Sequence, residues 1–409
     1  MPSFGDLDAA VVDGYGLPPD LPGRLRTDAR VMVIDDGGRR RNYDADWVLD
    51  QNFAASPAPY HDIAEGCVLL LGAEFALLRG EVTSARPDRR PDRRQPPRRL
   101  LVSLGADPGP ALRELAARVI DSPSVRSLGM DVVPFAGLAD VGPTLASVDM
   151  ALAAAGSTIW ELCAFGVPTV AFCVAENQEV VARRAGEAGL LIDAGDLRNV
   201  DADGLASRVC DLAGDPSLRD RLSAHGWSTI DGKGADRVAT VVRSGLVQYR
   251  PAGLGDTMLL WDWTNDPDTR RVSFHPDPVP LEDHERWLAA KLESPESIIW
   301  IASDHRGSPL GQIRVDTSEI DRRVGRLAYS IAKQQRGKGW ASAMLVGAVQ
   351  LCFASDELSR LDAIEALVME DNEASWRSLA GAGFIRIGDG SDSEHTWRTY
   401  RIERSARSR

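Results

Sequence analysis

The stretch that most constrains this chain runs from Met150 to Gln178. An all-apolar run from Met150 to Ala154 has strand length. Gly156-Ser157-Thr158 then opens a helical pattern carrying Trp160, Leu162 and Cys163, and a second apolar run, residues 167–174, ends before Glu176-Asn177-Gln178. Two buried strands joined through a helix lie parallel, because that connection needs a crossover of about a dozen residues or more. Backbone N–H groups at such a helix start suit phosphate oxygens. Glu161, one turn into the helix, is placed to accept both hydroxyls of a ribose, and Asn177-Gln178 are placed to close over a sugar or diphosphate. The same residues also suit an ordinary strand, loop and helix.

Similar alternation extends on both sides. Residues 100–104, 132–135, 169–174 and 190–192 read as further strands separated by helical patterns, with more helix around residues 203–212 and 235–242. Upstream, residues 9–12, 31–34, 47–49 and 68–71 are short apolar runs of a smaller α/β segment. Residues 86–99 carry seven arginines and four prolines and too little apolar surface for a core, so they read as an exposed linker, with a phosphate-binding arm as the alternative. From Tyr249 the pattern changes. A helical segment rich in Trp and acidic residues leads to strands at 298–302, 311–315 and 326–331, then to Arg336-Gly337-Lys338-Gly339-Trp340-Ala341 and an apolar helix over 342–353.

The whole chain, 409 residues and 44% hydrophobic, is long enough for two or three separate cores. Its net charge of −13 argues against a general nucleic-acid surface. No apolar run reaches bilayer length, and the first eight residues lack the pattern of a signal peptide, so the expected location is the cytoplasm, away from any membrane. The five cysteines are scattered without close pairs, which suggests neither a disulfide framework nor a metal site.

The first 246 residues resemble the UDP-sugar hydrolases of pseudaminic acid biosynthesis, relatives of the two-domain glycosyltransferases of the GT-B type. Val11-Val12-Asp13-Gly14-Tyr15, Ile34-Asp35-Asp36, Leu49-Asp50-Gln51-Asn52, the segment from Leu71 to Arg79, and the segment from Gly156 to Gln178 carry the likeness in order. The resemblance implies that Gly156, Ser157, Thr158 and Glu161 bind UDP, that Asn177 and Gln178 meet the diphosphate or sugar, and that Tyr15 faces the cleft. The family's glycine-rich loop ending in His, which carries its proposed base, has no counterpart here. Residues 1–85 therefore read as the remnant of a Rossmann-like domain, 86–99 as the linker and 100–246 as the UDP-binding Rossmann-like domain. Gly14 stands where the family usually has His.

Residues 249–404 resemble the GNAT acetyltransferases, especially those that acetylate amino sugars. The resemblance rests on Arg336-Gly337-Lys338-Gly339-Trp340-Ala341, on Asn372-Glu373-Ala374-Ser375 and on Gly383-Phe384. It implies acetyl-CoA as cofactor, with successive amides of Arg336, Gly337, Lys338, Gly339, Trp340 and Ala341 around its pyrophosphate. It further implies a splayed strand near residues 329–333 holding the thioester, and support from Asn372 and Ser375. Many members carry a Tyr general acid where this chain has Leu379. On the acceptor side, Trp263, Asn265, Arg271, His284 and Trp287 form a candidate surface, with His284 as candidate base; each also suits a packing or solvated role.

The fold expected is thus α/β throughout, a partial GT-B followed by a GNAT domain. The expected function is acetyl transfer from acetyl-CoA to the amine of a UDP-linked amino-deoxy sugar. The alternatives are a hydrolase of UDP-linked diacetamido-trideoxy sugars whose His-bearing segment is missing, or a non-catalytic UDP-sugar-binding module.

Overall fold

The computed structural model describes residues 7–404, apart from 15, 41, 54, 106, 136–139, 356, 357 and 359. The chain divides into two compact units, residues 10–238 and the part from residue 239 onward. Tyr15 lies outside the described residues.

The first unit contains two parallel sheets. β1 (Ala9–Asp13), β2 (Arg30–Ile34), β3 (Trp47–Asp50) and β4 (Val68–Leu71) lie side by side in sequence order, with β2, β3 and β4 parallel. The second sheet holds β5 (Arg99–Ser103), β6 (Asp131–Pro134), β7 (Met150–Ala154), β8 (Thr169–Cys173) and β9 (Ile192–Asp196) in the order β6-β5-β7-β8-β9, every pairing parallel. Every residue of β7 and β8 is buried, because helices cover both faces of the sheet. This explains why these strands read as continuous apolar runs rather than as alternating ones. Both sheets are Rossmann-like.

Residues 86–98 are not the free linker their composition suggests. Arg93 is 5% exposed and donates to the carbonyls of Val148 (2.7 Å), Gly166 (3.0 Å) and Phe165 (3.3 Å). Arg86 donates to Ala164 O and Trp227 O, with its guanidinium 3.6 Å from the centre of the Trp227 ring. From the other side, buried Arg219 donates to the carbonyls of Arg93 (3.0 Å) and Gln95 (3.1 Å). The segment is a strap, and its prolines and arginines fix it to the second sheet's helices. A guanidinium tolerates such burial when its fork of donors finds this many acceptors.

The second unit is built on one seven-stranded sheet of β10 (Val247–Pro251), β11 (Ser297–Asp304), β12 (Pro309–Thr317), β13 (Val324–Ile331), β14 (Ala363–Met369), β15 (Ile385–Ser391) and β16 (Thr396–Glu403), in the order β10-β11-β12-β13-β14-β16-β15. All neighbours are antiparallel except β13 and β14, which pair in parallel over Val324↔Ala363, Gly325↔Ile364 and Arg326↔Glu365 only. Beyond Arg326 the two strands part. The helix Trp340–Ala354 packs on one face, burying Ala343, Met344, Leu345, Ala348, Val349 and Cys352. Gly347 lets it approach β10, since a Cβ there would run into the Tyr249 ring.

Candidate functional site

Two glycine turns carry the sequence-predicted sites. In the first unit, β7 leads through Gly156 and Ser157 into the helix Thr158–Ala164. The side chain of Gln178 comes close: its Nε2 lies 3.9 Å from where a Cβ on Gly156 would sit, and its Oε1 accepts from Val174 N at 2.9 Å. The structure thus brings Gly156 and Gln178 together, with Asn177 beside them in the first turn of the helix Glu176–Glu187. Glu161 is placed differently from the expectation. It is 7% exposed and accepts a bidentate pair from Arg79, Nε to Oε1 at 2.8 Å and Nη2 to Oε2 at 2.9 Å. Both oxygens that were to meet a ribose already have a donor, and the pairing holds the Arg79 guanidinium above its ordinary pKa.

The other motifs of this unit are also tied internally. Asp35 accepts from Gly38 N, Arg39 N and the Tyr43 hydroxyl, while Asp50 accepts from the Tyr60 hydroxyl (2.8 Å), Gly37 N and Asn52 N. Burial raises the Asp50 carboxyl despite these donors. Gln51 Oε1 accepts from Leu77 N. These residues fix the loops at the carboxyl ends of β2 and β3.

In the second unit, Gly337 (φ 73°) and Gly339 (φ 79°) both take the left-handed conformation that other L-residues avoid, and Gly339 caps the fifteen-residue helix Trp340–Ala354. The amides of the turn and of the first helical residues are presented as an anion cradle. Arg336 does not reach into it. Its guanidinium pairs with Asp266 (2.7 Å) and Asp268 (3.2 Å) and donates to Thr269 Oγ1 (3.0 Å), so it anchors the turn from outside while its backbone remains part of the loop. Lys338 is exposed, with Gln335 Oε1 at 3.4 Å.

Where β13 and β14 part, a cavity of about 890 Å³ opens, lined by the separating strands, by β12 and by Asn372 and Ser375. Asn372 is the N-cap of the helix Glu373–Gly381, its Oδ1 accepting from Ser375 N at 3.1 Å. The Ser375 hydroxyl lies 2.9 Å from the Tyr329 hydroxyl, and burial pushes the Tyr329 phenol above its ordinary pKa. Leu379, standing where the resemblance would put a Tyr general acid, is fully buried in the core. Of the aromatic hydroxyls, it is Tyr329 that lines the cavity.

The proposed acceptor surface does not come together there. His284 is 2% exposed, lies 5.4 Å from the Trp287 ring and does not line the cavity; its Nε2 has no hydrogen-bond partner, and burial lowers its pKa. Trp263 packs with Leu260, Leu288 and Ile299, and Asn265 exchanges hydrogen bonds with the backbone of Val279. Arg271 is exposed, although Thr269, Val272 and Phe274 beside it do line the cavity.

The charged residues that do line it are ones that sequence reasoning passed over. Lys291 and Arg314 both meet Asp316 at 2.8 Å, and Arg322 pairs with Glu296. Arg326 is half-buried and makes no ion pair or hydrogen bond among the described residues, although it stands in register between Asp316 and Glu365. The available signal was alternation: in β12, Gln312, Arg314 and Asp316 interleave with buried Ile313 and Val315, which marks a sheet face turned away from the core.

Residues 246–385 match the family model of the acetyltransferase (GNAT) domain. Similar solved structures include an aminoglycoside acetyltransferase in complex with coenzyme A, at 19% identity over 39% of this chain and 95% of that one, with a TM-score of 0.35. Another is the spermidine N-acetyltransferase of Vibrio cholerae in complex with CoA and spermine, at 16% identity over 39% and 96%, also with a TM-score of 0.35. No curated protein matches the chain. Among the described residues no helix is long and apolar enough to cross a membrane. Residues 246–385 therefore contain an acetyltransferase (GNAT) domain, which makes the protein an enzyme with acetyl-CoA as its cofactor.

Proposed function

We propose that the C-terminal unit transfers acetyl from acetyl-CoA to the amine of an amino-deoxy sugar carried on UDP, and that the first unit, as a GT-B-type module, binds the nucleotide sugar. The observation that carries the acceptor class is the unpaired Arg326 in the cavity between the parting strands. A half-buried guanidinium without an acid calls for an anion, and with Arg326 counted the lining holds four cations, Lys291, Arg314, Arg322 and Arg326, against three acids, Glu296, Asp316 and Glu319. A polycation such as a polyamine would meet repulsion there. An amine borne on a diphosphate would not.

In the transfer itself, the neutral amine attacks the thioester carbonyl carbon, the C–S bond breaks, the amine loses a proton and CoA leaves as the thiol. The parted strands β13 and β14 leave backbone groups that can hold the pantetheine arm and orient the carbonyl, so alignment of the two reactants supplies much of the rate. Tyr329, fixed by Ser375 and kept protonated, serves as hydrogen-bond donor to the departing sulfur. Asn372 and Ser375 act through this helix start rather than as charged ligands.

In the first unit, the juxtaposition of Gly156 and Gln178 supports a nucleotide-sugar loop, with Ser157, Thr158, Glu161 and Asn177 around it. Ribose binding by Glu161 then requires its pair with Arg79 to open. The test follows free thiol and free UDP separately while the full chain is given acetyl-CoA with UDP-amino sugars, spermidine or kanamycin. The expected result is thiol release with a UDP-amino sugar, lowered about tenfold or more in kcat/KM by Arg326→Glu. Thiol release with spermidine and none with any UDP-amino sugar would overturn the acceptor assignment.

A further inference from the structure

The helix Gly234–Ser244 ends just upstream of the residues that match the acetyltransferase model, and its last part, from residue 239, belongs to the C-terminal unit. Near its end, exposed Arg243 reaches the glycine turn. A Cβ built on Gly339 would stand 2.8 Å from Arg243 Nη1 and 3.3 Å from its Cζ, so the guanidinium lies against the residue that caps the helix Trp340–Ala354. Arg243 makes no ion pair or hydrogen bond among the described residues.

That placement is unfavourable for the turn by itself. The start of a long helix carries about half a positive charge, and a guanidinium beside it is repelled. Lys338 adds a second cation with only the Gln335 amide near it, whereas Arg336 is neutralised by Asp266 and Asp268. The chain has 60 acidic residues against 47 Lys and Arg, yet these two cations at the turn have no acid. The arrangement makes electrostatic sense when a polyanion fills the turn, and the cofactor supplies one.

We propose that Arg243 is a ligand of the acetyl-CoA pyrophosphate, donating to its oxygens while the amides of residues 337–341 hold them from the loop. The cofactor site of this protein thus draws on a residue that precedes its acetyltransferase domain. Guanidinium and phosphate match in geometry as well as in charge, so Arg243 adds to binding without touching the thioester.

The test uses the full chain, with acetyl-CoA, 3′-dephospho-acetyl-CoA and acetyl-pantetheine as ligands. Arg243→Ala is expected to weaken acetyl-CoA by about tenfold in calorimetry and to weaken 3′-dephospho-acetyl-CoA equally, with Arg243→Lys restoring most of the loss. KM for acetyl-pantetheine, which lacks the pyrophosphate, stays unchanged. Unchanged acetyl-CoA affinity in Arg243→Ala would overturn the proposal. So would a loss that disappears with 3′-dephospho-acetyl-CoA, which would move the contact to the 3′-phosphate, or an equal loss with acetyl-pantetheine, which would make Arg243 structural.

Discussion

The turn after β7 and the turn before the helix Trp340–Ala354 are made of the same parts, a strand, small residues and a helix start, but their charges are settled differently. Beside the first, the carboxylate of Glu161 is buried and neutralised by Arg79. Beside the second, Arg243 and Lys338 stand without an acid, and the residues at the turn itself are glycines in the left-handed region. Glycine spacing is common to both. What separates a turn that is closed on itself from one awaiting an anion is whether the nearby charges already have partners.

The harshest test of this contrast is Gly339→Glu. The new side chain would have to adopt φ 79° and would put a carboxylate against Arg243, in the place assigned to the pyrophosphate. Acetyl-CoA affinity measured by calorimetry is expected to fall by about 100-fold or more. Unchanged affinity would remove the cofactor from this turn and break the comparison at once.

Arg93→Ala probes how the closed half is held. It leaves the carbonyls of Val148, Phe165 and Gly166 without their donor inside the strap's seat, and urea unfolding is expected to show a loss of about 3 kcal/mol or more in the first unit. A loss below about 0.5 kcal/mol, the range of ordinary surface substitutions, would return residues 86–98 to the status of a linker.

The strap also shows where sequence reading stops. Arg336-Gly337-Lys338-Gly339 was legible because its chemistry is local: two glycines, a strand before and an apolar helix after already specify a left-handed turn and a helix start. Continuous burial of β7 and β8 was legible for the same reason. The burial of Arg93 was not, because a guanidinium enters a protein only when distant carbonyls converge on it, and Val148, Phe165 and Gly166 come from other elements. His284 and Trp263 differ from the strap in the opposite sense. Their types suggested an acceptor site, but Trp263 on the helix Thr257–Asn265 packs with Ile299 of β11, His284 on the helix Leu281–Glu293 is buried beside Trp287, and the cavity lies instead where β13 and β14 part. Arg326, between two acids in register, carried no local sign that it would be left unpaired.

A milder substitution sharpens the account of Glu161. Arg79→Ala leaves that carboxylate buried with no donor from Arg79 and is expected to cost about 2 kcal/mol in the first unit, read as a lower urea midpoint. If the ribose of a bound nucleotide takes Glu161 in place of Arg79, added UDP should recover more stability in this variant than in the parent chain. Equal recovery in both would place the nucleotide away from Glu161.

The smallest expected effect concerns His284, and it separates packing from catalysis. Burial lowers its pKa in the folded chain, so the folded state binds this proton less readily than the unfolded chain does. Stability of the C-terminal unit should therefore be intact above the unfolded value of about 6.5 and be lost as pH falls below it towards the folded value. His284→Leu removes the titrating group, so the shift in urea midpoint between pH 7.5 and pH 5 should shrink in that variant. Acetyl transfer at pH 8 should change by less than about threefold, because the ring does not line the cavity. A positioned general base would instead cost about 100-fold or more, and such a loss without a fall in stability would put His284 back at the reacting amine.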